Sequence, residues 1–111
     1  IIQIEDIIAV QNLDTILKVP GIDGVLIGPY DLSGSMNLLG EVTHPLVQAE
    51  INKVKLKCKE TKIPFGIFVM NVEAAPKEIA DGCSFVAVGT DSAMVLGRAK
   101  QILETIGKSP Q

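Results

Sequence analysis

The sequence has 111 residues, about the length of one small domain, and its 47% of apolar residues can supply a hydrophobic core. The net charge of −3 and the absence of tryptophan argue against a nucleic-acid-binding protein, since such proteins present basic surfaces and aromatic stacking platforms. No apolar run approaches the roughly 18 residues that span a bilayer, so we expect no membrane contact.

The first predicted element is a β-strand at residues 1–4, because this run is almost continuously apolar. Such runs are typical of strands that are buried on both faces, as in parallel sheets. The helical spacing of residues 6–19 predicts a helix that is interrupted near Leu13. Asp14, an acceptor for backbone amides, is the predicted cap of its second part.

The second strand is predicted at residues 24–28, another continuous apolar run. The longest helix is predicted at residues 43–62, with Thr43 as its cap and Pro45 in its first turn. Four residues at helical spacing form its apolar stripe: Val47, Ile51, Val54 and Cys58. Its lysines alternate along the sequence, which predicts a solvated surface: Lys53, Lys55, Lys57 and Lys59.

The last two units repeat this order. A third strand is predicted at residues 65–69 and a helix at 72–81, which Gly82 ends because glycine accepts a left-handed cap. A fourth strand at residues 85–89 precedes a final helix at 91–106. The apolar face of that helix contains four residues: Val95, Ala99, Ile102 and Ile106.

Four successive strand–helix units predict an α/β fold with parallel strands and right-handed crossovers. Either half of a TIM barrel or a small open sheet fits this order. In both architectures functional residues lie at the carboxyl ends of the strands. Polar or glycine residues follow each predicted strand at Glu5, Gly28, Asn71 and Gly89, which indicates a site there.

Glu5 and Asp31 follow two successive strands, and neighbouring strands lie about 4.8 Å apart. Two converging carboxylates suit Mg²⁺ or Mn²⁺, which prefer oxygen ligands. The alternative is that Glu5 caps the following helix and that Asp31 anchors a turn. Residues 28–33 are predicted to form a loop whose backbone amides can face an anion.

Five ordered segments resemble the HpcH/HpaI aldolase family. They are Gln-Ile-Glu at 3–5, Val-Pro-Gly-Ile-Asp-Gly-Val at 19–25, Gly-Pro-Tyr-Asp-Leu-Ser at 28–33, His-Pro-Leu-Val-Gln at 44–48, and Phe-Val-Ala-Val-Gly-Thr-Asp at 85–91. The similarity runs from residue 1 to about 107. It implies a (β/α)8 TIM barrel of which residues 1–111 are the C-terminal four units, forming one truncated domain.

The resemblance also implies an activity, the reversible cleavage of 2-keto-4-hydroxy acids to pyruvate, or a related 2-oxoacid, and an aldehyde. Members use a divalent metal, Mg²⁺ or Mn²⁺ with Co²⁺ as a further option, rather than a Schiff-base lysine. The metal chelates the pyruvate oxygens and acts as a Lewis acid.

By this resemblance Glu5 and Asp31 are the metal ligands, and Gln3 contacts the oxoacid or a metal-bound water. The backbone amides of Tyr30 and Asp31 receive the substrate carboxylate, and Phe68 lines the site. Tyr30 departs from the small residue that is common in the family at that position, which leaves the aldehyde undefined.

The family's catalytic arginine and histidine base belong to the other half of the barrel, so no catalytic acid or base is predicted in this chain. His44 matches a histidine-proline pair of the family that is not the base, and we interpret it as a helix-entry residue. Arg98 is predicted on the outer face of the last helix. Turnover by the chain alone is therefore expected to be near zero.

The sequence begins without methionine inside an apolar run and lacks signal-peptide features, so we expect a truncated, cytoplasmic chain. Cys58 and Cys83 form no CxxC motif and are interpreted as reduced, with Cys83 as a small buried apolar group. An incomplete barrel exposes strand edges and apolar lining, which predicts a homo-oligomer.

Three alternatives stay open. One is a non-catalytic, self-associating half-barrel, and another is a related acyl-CoA-type lyase, which would require basic residues for the CoA phosphate. The third is an open doubly wound domain that binds phosphate at residues 90–92, although the sequence contains no glycine-rich phosphate motif.

Overall fold

The computed structural model describes residues 1–107, so the last four residues of the predicted domain lie outside the described part. Four strands form the sheet: β1 (Ile2–Ile4), β2 (Val25–Ile27), β3 (Phe65–Val69) and β4 (Phe85–Val88). All four predicted strands are confirmed, β3 with the predicted bounds and the other three with slightly shorter ends. The α-helices are α1 (Ile7–Gln11), α2 (Leu13–Ile16), α3 (Pro29–Ser35), α4 (Pro45–Thr61), α5 (Ala75–Ala80) and α6 (Asp91–Gly107).

The strands are parallel and follow one another across the sheet in the order β1-β2-β3-β4. A doubly wound sheet reverses its strand order at a switch point, whereas a barrel adds each strand beside the previous one. The observed order is therefore that of part of a TIM barrel. The predicted fold class is confirmed, and the open doubly wound alternative is wrong.

One face of the sheet packs against helices and forms the hydrophobic core. The strand residues that face this core are Ile4, Val25, Ile27, Phe65, Ile67 and Val69. The predicted apolar stripe of α4 is fully buried against them. Side chains alternate along a strand, so the intervening residues lie on the opposite face, which we call the inner face. Its residues include Gln3, Leu26, Phe68, Phe85 and Ala87. Each of them is at least partly exposed.

The first two helices break at Asn12, and the predicted cap of the second is wrong. Asp6 caps α1, since its Oδ1 accepts from the amide of Ile8 at 2.7 Å. Asp14 lies inside the first turn of α2 and pairs with Lys57 of α4. This ion pair lowers the pKa of the Asp14 carboxyl, chiefly through the hydrogen bond from Lys57.

The predicted loop at residues 28–33 is a helix instead, since α3 begins at Pro29. Proline is favoured at a first helical position, where its missing N–H costs no hydrogen bond. The predicted cap of α4 is also wrong. His44 caps this helix, with its Nδ1 accepting from the Leu46 amide at 3.2 Å, and this confirms the helix-entry role of His44.

The fourth unit differs from the other three in packing. A 3₁₀ turn at Val72–Ala74 precedes α5, and Gly82, with φ of 98°, follows α5 as predicted. Every residue of α6 is exposed, including its predicted apolar face. The helix extends away from the sheet, so the chain measures 64 × 28 × 21 Å. Its radius of gyration is 17.1 Å, against about 13 Å for a compact chain of this length.

Among residues 1–107, no helix combines the length and the apolar character needed to cross a membrane.

Candidate active site

The carboxyl end of β1 places two polar side chains side by side. Gln3 and Glu5 are two residues apart, so strand alternation puts both on the inner face. The Gln3 side chain donates a hydrogen bond from Nε2 to Glu5 Oε2 at 2.6 Å. Glu5 is half-buried and is not a helix cap, because Asp6 has that role. The alternative interpretation of Glu5 as a cap is therefore wrong.

Gly28 at the end of β2 leaves room for these two side chains. A Cβ at position 28 would lie 2.9 Å from Gln3 Nε2, 2.9 Å from Glu5 Cβ and 3.1 Å from Glu5 Oε2. Any larger residue would displace one of them. The absence of a side chain here lets the Gln3 amide and the Glu5 carboxylate pack directly against the backbone at the end of β2.

Helix α3 starts from the same glycine and brings Tyr30 and Asp31 to this end of the sheet. Leu32 donates the first amide hydrogen bond of the helix to the Gly28 carbonyl at 3.0 Å. The preceding amides of Tyr30 and Asp31 have no carbonyl partner within the described residues, and no side chain caps them. These are the two amides to which the family resemblance assigns the carboxylate of the substrate.

Asp31 is exposed in the first turn of α3, and within residues 1–107 no cation pairs with its carboxylate. The same part of the chain contains no cluster of three or more metal-ligating side chains. Two carboxylates alone make an incomplete coordination shell, which waters and a chelating substrate would have to complete.

Tyr30 of α3 and Phe68 of β3 contact each other. Their ring centroids are 6.1 Å apart with planes at 69°, an edge-to-face pair. Both rings line a cavity of about 450 Å³ between α4, the end of β3 and α5. Phe68 therefore lies where the sequence predicts a lining residue, whereas the cavity and the aromatic contact were not predicted.

A buried ionic network lies beside this cavity, and the sequence analysis did not predict it. Lys55 is only 4% exposed and pairs with Glu78, and its Nζ lies 3.1 Å from Asp81 Oδ2. Lys55 follows Ile51 by four residues and precedes Cys58 by three, so it lies on the buried stripe of α4. This spacing was the signal that could have found it, and the prediction that all four lysines are solvated is wrong for Lys55.

Several ionisable groups in and near this network have shifted pKa values. Hydrogen bonds from Lys77 and then Lys55 lower the pKa of Asp81 to about 2. Desolvation raises the pKa of the Cys83 thiol, and it raises that of Cys58 to about 11. Both cysteines are free and buried, so the prediction that Cys83 is a small buried group is confirmed.

The remaining candidates lie away from this site. Arg98 is exposed on α6, as predicted, and its Nη1 lies 3.3 Å from Gln101 Oε1. At the start of α6, Thr90 Oγ1 accepts from the Ala93 amide at 3.2 Å and Asp91 Oδ1 from the Ser92 amide at 2.7 Å. These side chains already cap the helix, which argues against the phosphate site at residues 90–92.

Residues 1–97 match the model of a known family, HpcH/HpaI aldolase/citrate lyase. The chain belongs to this family. The match covers all four strands and the candidate site, including Gln3, Glu5 and residues 28–31. It confirms the family that the five sequence segments indicated.

Individual relatives of the chain support the same family assignment. The chain is 38% identical over 98% of its length to a 4-hydroxy-2-oxo-heptane-1,7-dioate aldolase of Shigella flexneri, covering 41% of that protein. It is 37% identical over 93% of its length to a 2-dehydro-3,6-dideoxy-6-sulfogluconate aldolase of Pseudomonas putida, covering 40% of it.

A crystal structure of an HpcH/HpaI aldolase/citrate lyase family protein from Burkholderia cenocepacia J2315 superposes with a TM-score of 0.92 at 29% identity. The match covers 96% of this chain and 42% of that one. The chain thus spans about two fifths of the length of the relatives it matches.

Proposed function

We propose that this chain supplies the metal- and oxoacid-binding half of a divalent-metal-dependent aldolase. The reaction would cleave a 2-keto-4-hydroxy acid to pyruvate, or a close 2-oxoacid analogue, and an aldehyde. The observation that carries the proposal is the pair of Gln3 and Glu5 packed against Gly28 at the start of α3, with Gln3 Nε2 donating to Glu5 Oε2 at 2.6 Å. The relatives at about 38% identity are aldolases, which supports the same chemistry.

The residues present suit a hard divalent cation. Glu5 and Asp31 offer carboxylate oxygens, and the missing Cβ of Gly28 allows Glu5 to keep its place at the end of β1. Such ligands favour Mg²⁺, Mn²⁺ or Co²⁺ over a softer metal. When bound, the ion would supply Lewis-acid stabilisation of the charge that develops on the keto oxygen.

The other residues would bind and orient the oxoacid. The amides of Tyr30 and Asp31 can donate to its carboxylate without introducing a competing base. Gln3 holds the Glu5 carboxylate in one orientation, which fixes a metal ligand before substrate arrives. The proton on the 4-hydroxyl must leave as the C3–C4 bond breaks, and none of the residues at this site is assigned as its base.

The proposal is tested by calorimetric titration of the chain with Mn²⁺ and then with pyruvate. We expect Mn²⁺ to bind weakly, pyruvate to bind only when Mn²⁺ is present, and both Glu5→Ala and Asp31→Ala to abolish the metal signal. Asp23→Ala is the matched control, since Asp23 is an exposed aspartate before β2 and thus at the opposite end of the sheet from Asp31.

Metal binding that survives both substitutions would refute the assignment of these two ligands. A Mn²⁺ site that takes no pyruvate would refute the assigned role in oxoacid binding. Loss of the signal in Asp23→Ala as well would show a general charge effect rather than a site.

We also propose that the chain associates with a second copy of itself. The inner face carries Leu26, Phe68 and Phe85 without a covering layer in the described residues, and α6 exposes six large apolar side chains. These are Met94, Val95, Leu96, Ile102, Leu103 and Ile106. We further propose a cytoplasmic location for the protein. Its two cysteines are free and buried, and disulfides are rare in the cytosol.

An acyl-CoA-type lyase of the same superfamily is the second candidate, but the observed charges favour it less. A CoA phosphate requires unpaired basic groups. Lys55 and Lys77, the lysines nearest the cavity, are both paired with carboxylates.

A further inference from the structure

The cavity beside Tyr30 has the composition of a small-molecule binding site. Its walls are mainly apolar and are formed by Val42, Ile51, Val69, Met70 and Ala74. Its volume of about 450 Å³ is within the usual range of roughly 300–1,000 Å³ for ligand pockets. The cavity is therefore large enough for a small aromatic or aliphatic group.

A few polar groups interrupt these walls. The uncharged polar residues that line the cavity are Tyr30, Thr43, Gln48 and Asn71. The Gln48 Nε2 donates to the Val42 carbonyl at 2.8 Å, which leaves its Oε1 as an acceptor. No described residue hydrogen-bonds the Tyr30, Thr43 or Asn71 side chain, so these groups can bind a hydroxyl or carbonyl of a ligand.

The charged residues at the cavity neutralise each other. Glu78 pairs with the buried Lys55, and Lys77 Nζ lies 2.8 Å from Asp81 Oδ2. Two lysines and two carboxylates thus form a closed network with no net charge. An anionic ligand would have to displace Asp81 from the exposed Lys77 to gain a cation, because Lys55 is buried against Glu78, so burying its charge here would be unfavourable.

Tyr30 connects this cavity to the oxoacid site. Its backbone amide belongs to the proposed carboxylate site, while its ring packs edge-to-face on Phe68 and lines the cavity. We infer that the cavity receives the non-reacting part of the aldehyde and that this part is uncharged, with an apolar body and a hydrogen-bonding group. The inference rests on the proposed aldolase function and names its substrate class.

This specificity differs from what the names of two relatives specify. A heptane-1,7-dioate has a second carboxylate, and a sulfogluconate has a sulfonate. The paired charges around the cavity of this chain disfavour either anion at that position. The aldehyde inferred for this chain therefore carries no such anionic group.

The test uses stable alcohols in place of aldehydes, since aldehydes react with lysines. The chain is titrated with 4-hydroxybenzyl alcohol and with 4-carboxybenzyl alcohol, and amide chemical shifts are followed by NMR. We expect the neutral alcohol to shift cavity residues and to bind at least about tenfold more tightly than its carboxylate analogue. Ala74→Phe fills the cavity and should abolish binding, whereas Ala80→Phe, at an exposed alanine of α5, should not.

Val42→Trp is a second blocking variant should Ala74→Phe fail to fold. Equal or tighter binding of the carboxylate would overturn the inference, as would binding that neither blocking variant weakens or no binding of either alcohol. Glu5→Ala should keep alcohol binding, and Ala74→Phe should keep Mn²⁺ and pyruvate binding. Failure of the cavity and failure of the metal site are therefore distinguishable.

Discussion

Gly28 determines how closely β2 and α3 approach the polar end of β1. Its missing side chain leaves Gln3 Nε2 and Glu5 Cβ each 2.9 Å from the position that a Cβ would occupy. Glu5 Cβ belongs to the rigid base of its side chain and cannot move without the strand. A methyl group at position 28 would therefore force β1 and β2 apart or rotate Glu5 away.

We predict that Gly28→Ala weakens Mn²⁺ binding by at least about tenfold, because it displaces a ligand and the Gln3 side chain that orients it. Overpacking should also destabilise the fold by about 1–3 kcal/mol. Calorimetry and urea unfolding measure the two effects. Gly97→Ala on α6, where nothing lies within 4 Å of the added methyl, should leave Mn²⁺ binding unchanged. Unaltered Mn²⁺ affinity in Gly28→Ala would show that Glu5 in this position is not a metal ligand.

Single residues were predictable where strand alternation or the family resemblance placed them. Alternation places Gln3 and Glu5 on one face, and the structure joins them through a hydrogen bond. The contact of Tyr30 with Phe68 was not predictable, because it depends on how α3 tilts over β3. The metal-ligand role of Asp31 stays a prediction.

At the scale of elements, the sequence located the strands better than the helix starts. A continuous apolar run defines each strand, whereas Thr43 and His44 both offer a capping acceptor one residue apart. His44 directly precedes Pro45, which occupies the first helical position, and this decides between them. Helix α3 was missed because it has only seven residues and contains Gly34, a poor helix former.

The pair of Lys55 with Glu78 fixes α5 against α4, and both side chains are almost fully buried. We predict that Lys55→Ala destabilises the fold by about 3 kcal/mol or more, since it leaves a buried carboxylate without its partner. The double variant Lys55→Met with Glu78→Leu should recover most of this loss. Urea unfolding measures both free energies.

Lys53→Ala provides the control, because Lys53 is exposed and its pair with Glu50 is screened by water. This substitution should change the free energy of unfolding by no more than about 0.5 kcal/mol. A Lys55→Ala variant as mild as Lys53→Ala would contradict the structural role of the network.

At the scale of the whole molecule, residues 1–107 bury one face of the sheet and leave the other uncovered. The helices α1 to α5 account for the buried face, while the inner face and α6 have no apolar covering in residues 1–107. The order of the predicted elements indicated the parallel sheet, and the family resemblance indicated its barrel topology. The extended position of α6 was not predictable, because an apolar stripe specifies that a helix packs but not on which surface it packs.

We predict that the chain sediments above the mass of a single chain and that Ala87→Lys shifts it toward monomer. Ala87 is exposed on the inner face beside Phe68 in the β3–β4 register, so a lysine there places a charge inside any interface built on that face. Sedimentation equilibrium should show at least about a tenfold weaker association. Ala80→Lys adds the same charge to the exposed side of α5 and should leave the association unchanged.

A monodisperse monomer of the unaltered chain would contradict self-association altogether. If Ala80→Lys dissociates the assembly as effectively as Ala87→Lys, the cause is added charge rather than the inner face. If only Ala87→Lys dissociates it, the inner face is the interface. Gln3 and Glu5 lie on that same face, so Mn²⁺ affinity should then vary with protein concentration. A metal affinity that stays constant from dilute monomer to concentrated oligomer would show that the two sites are independent.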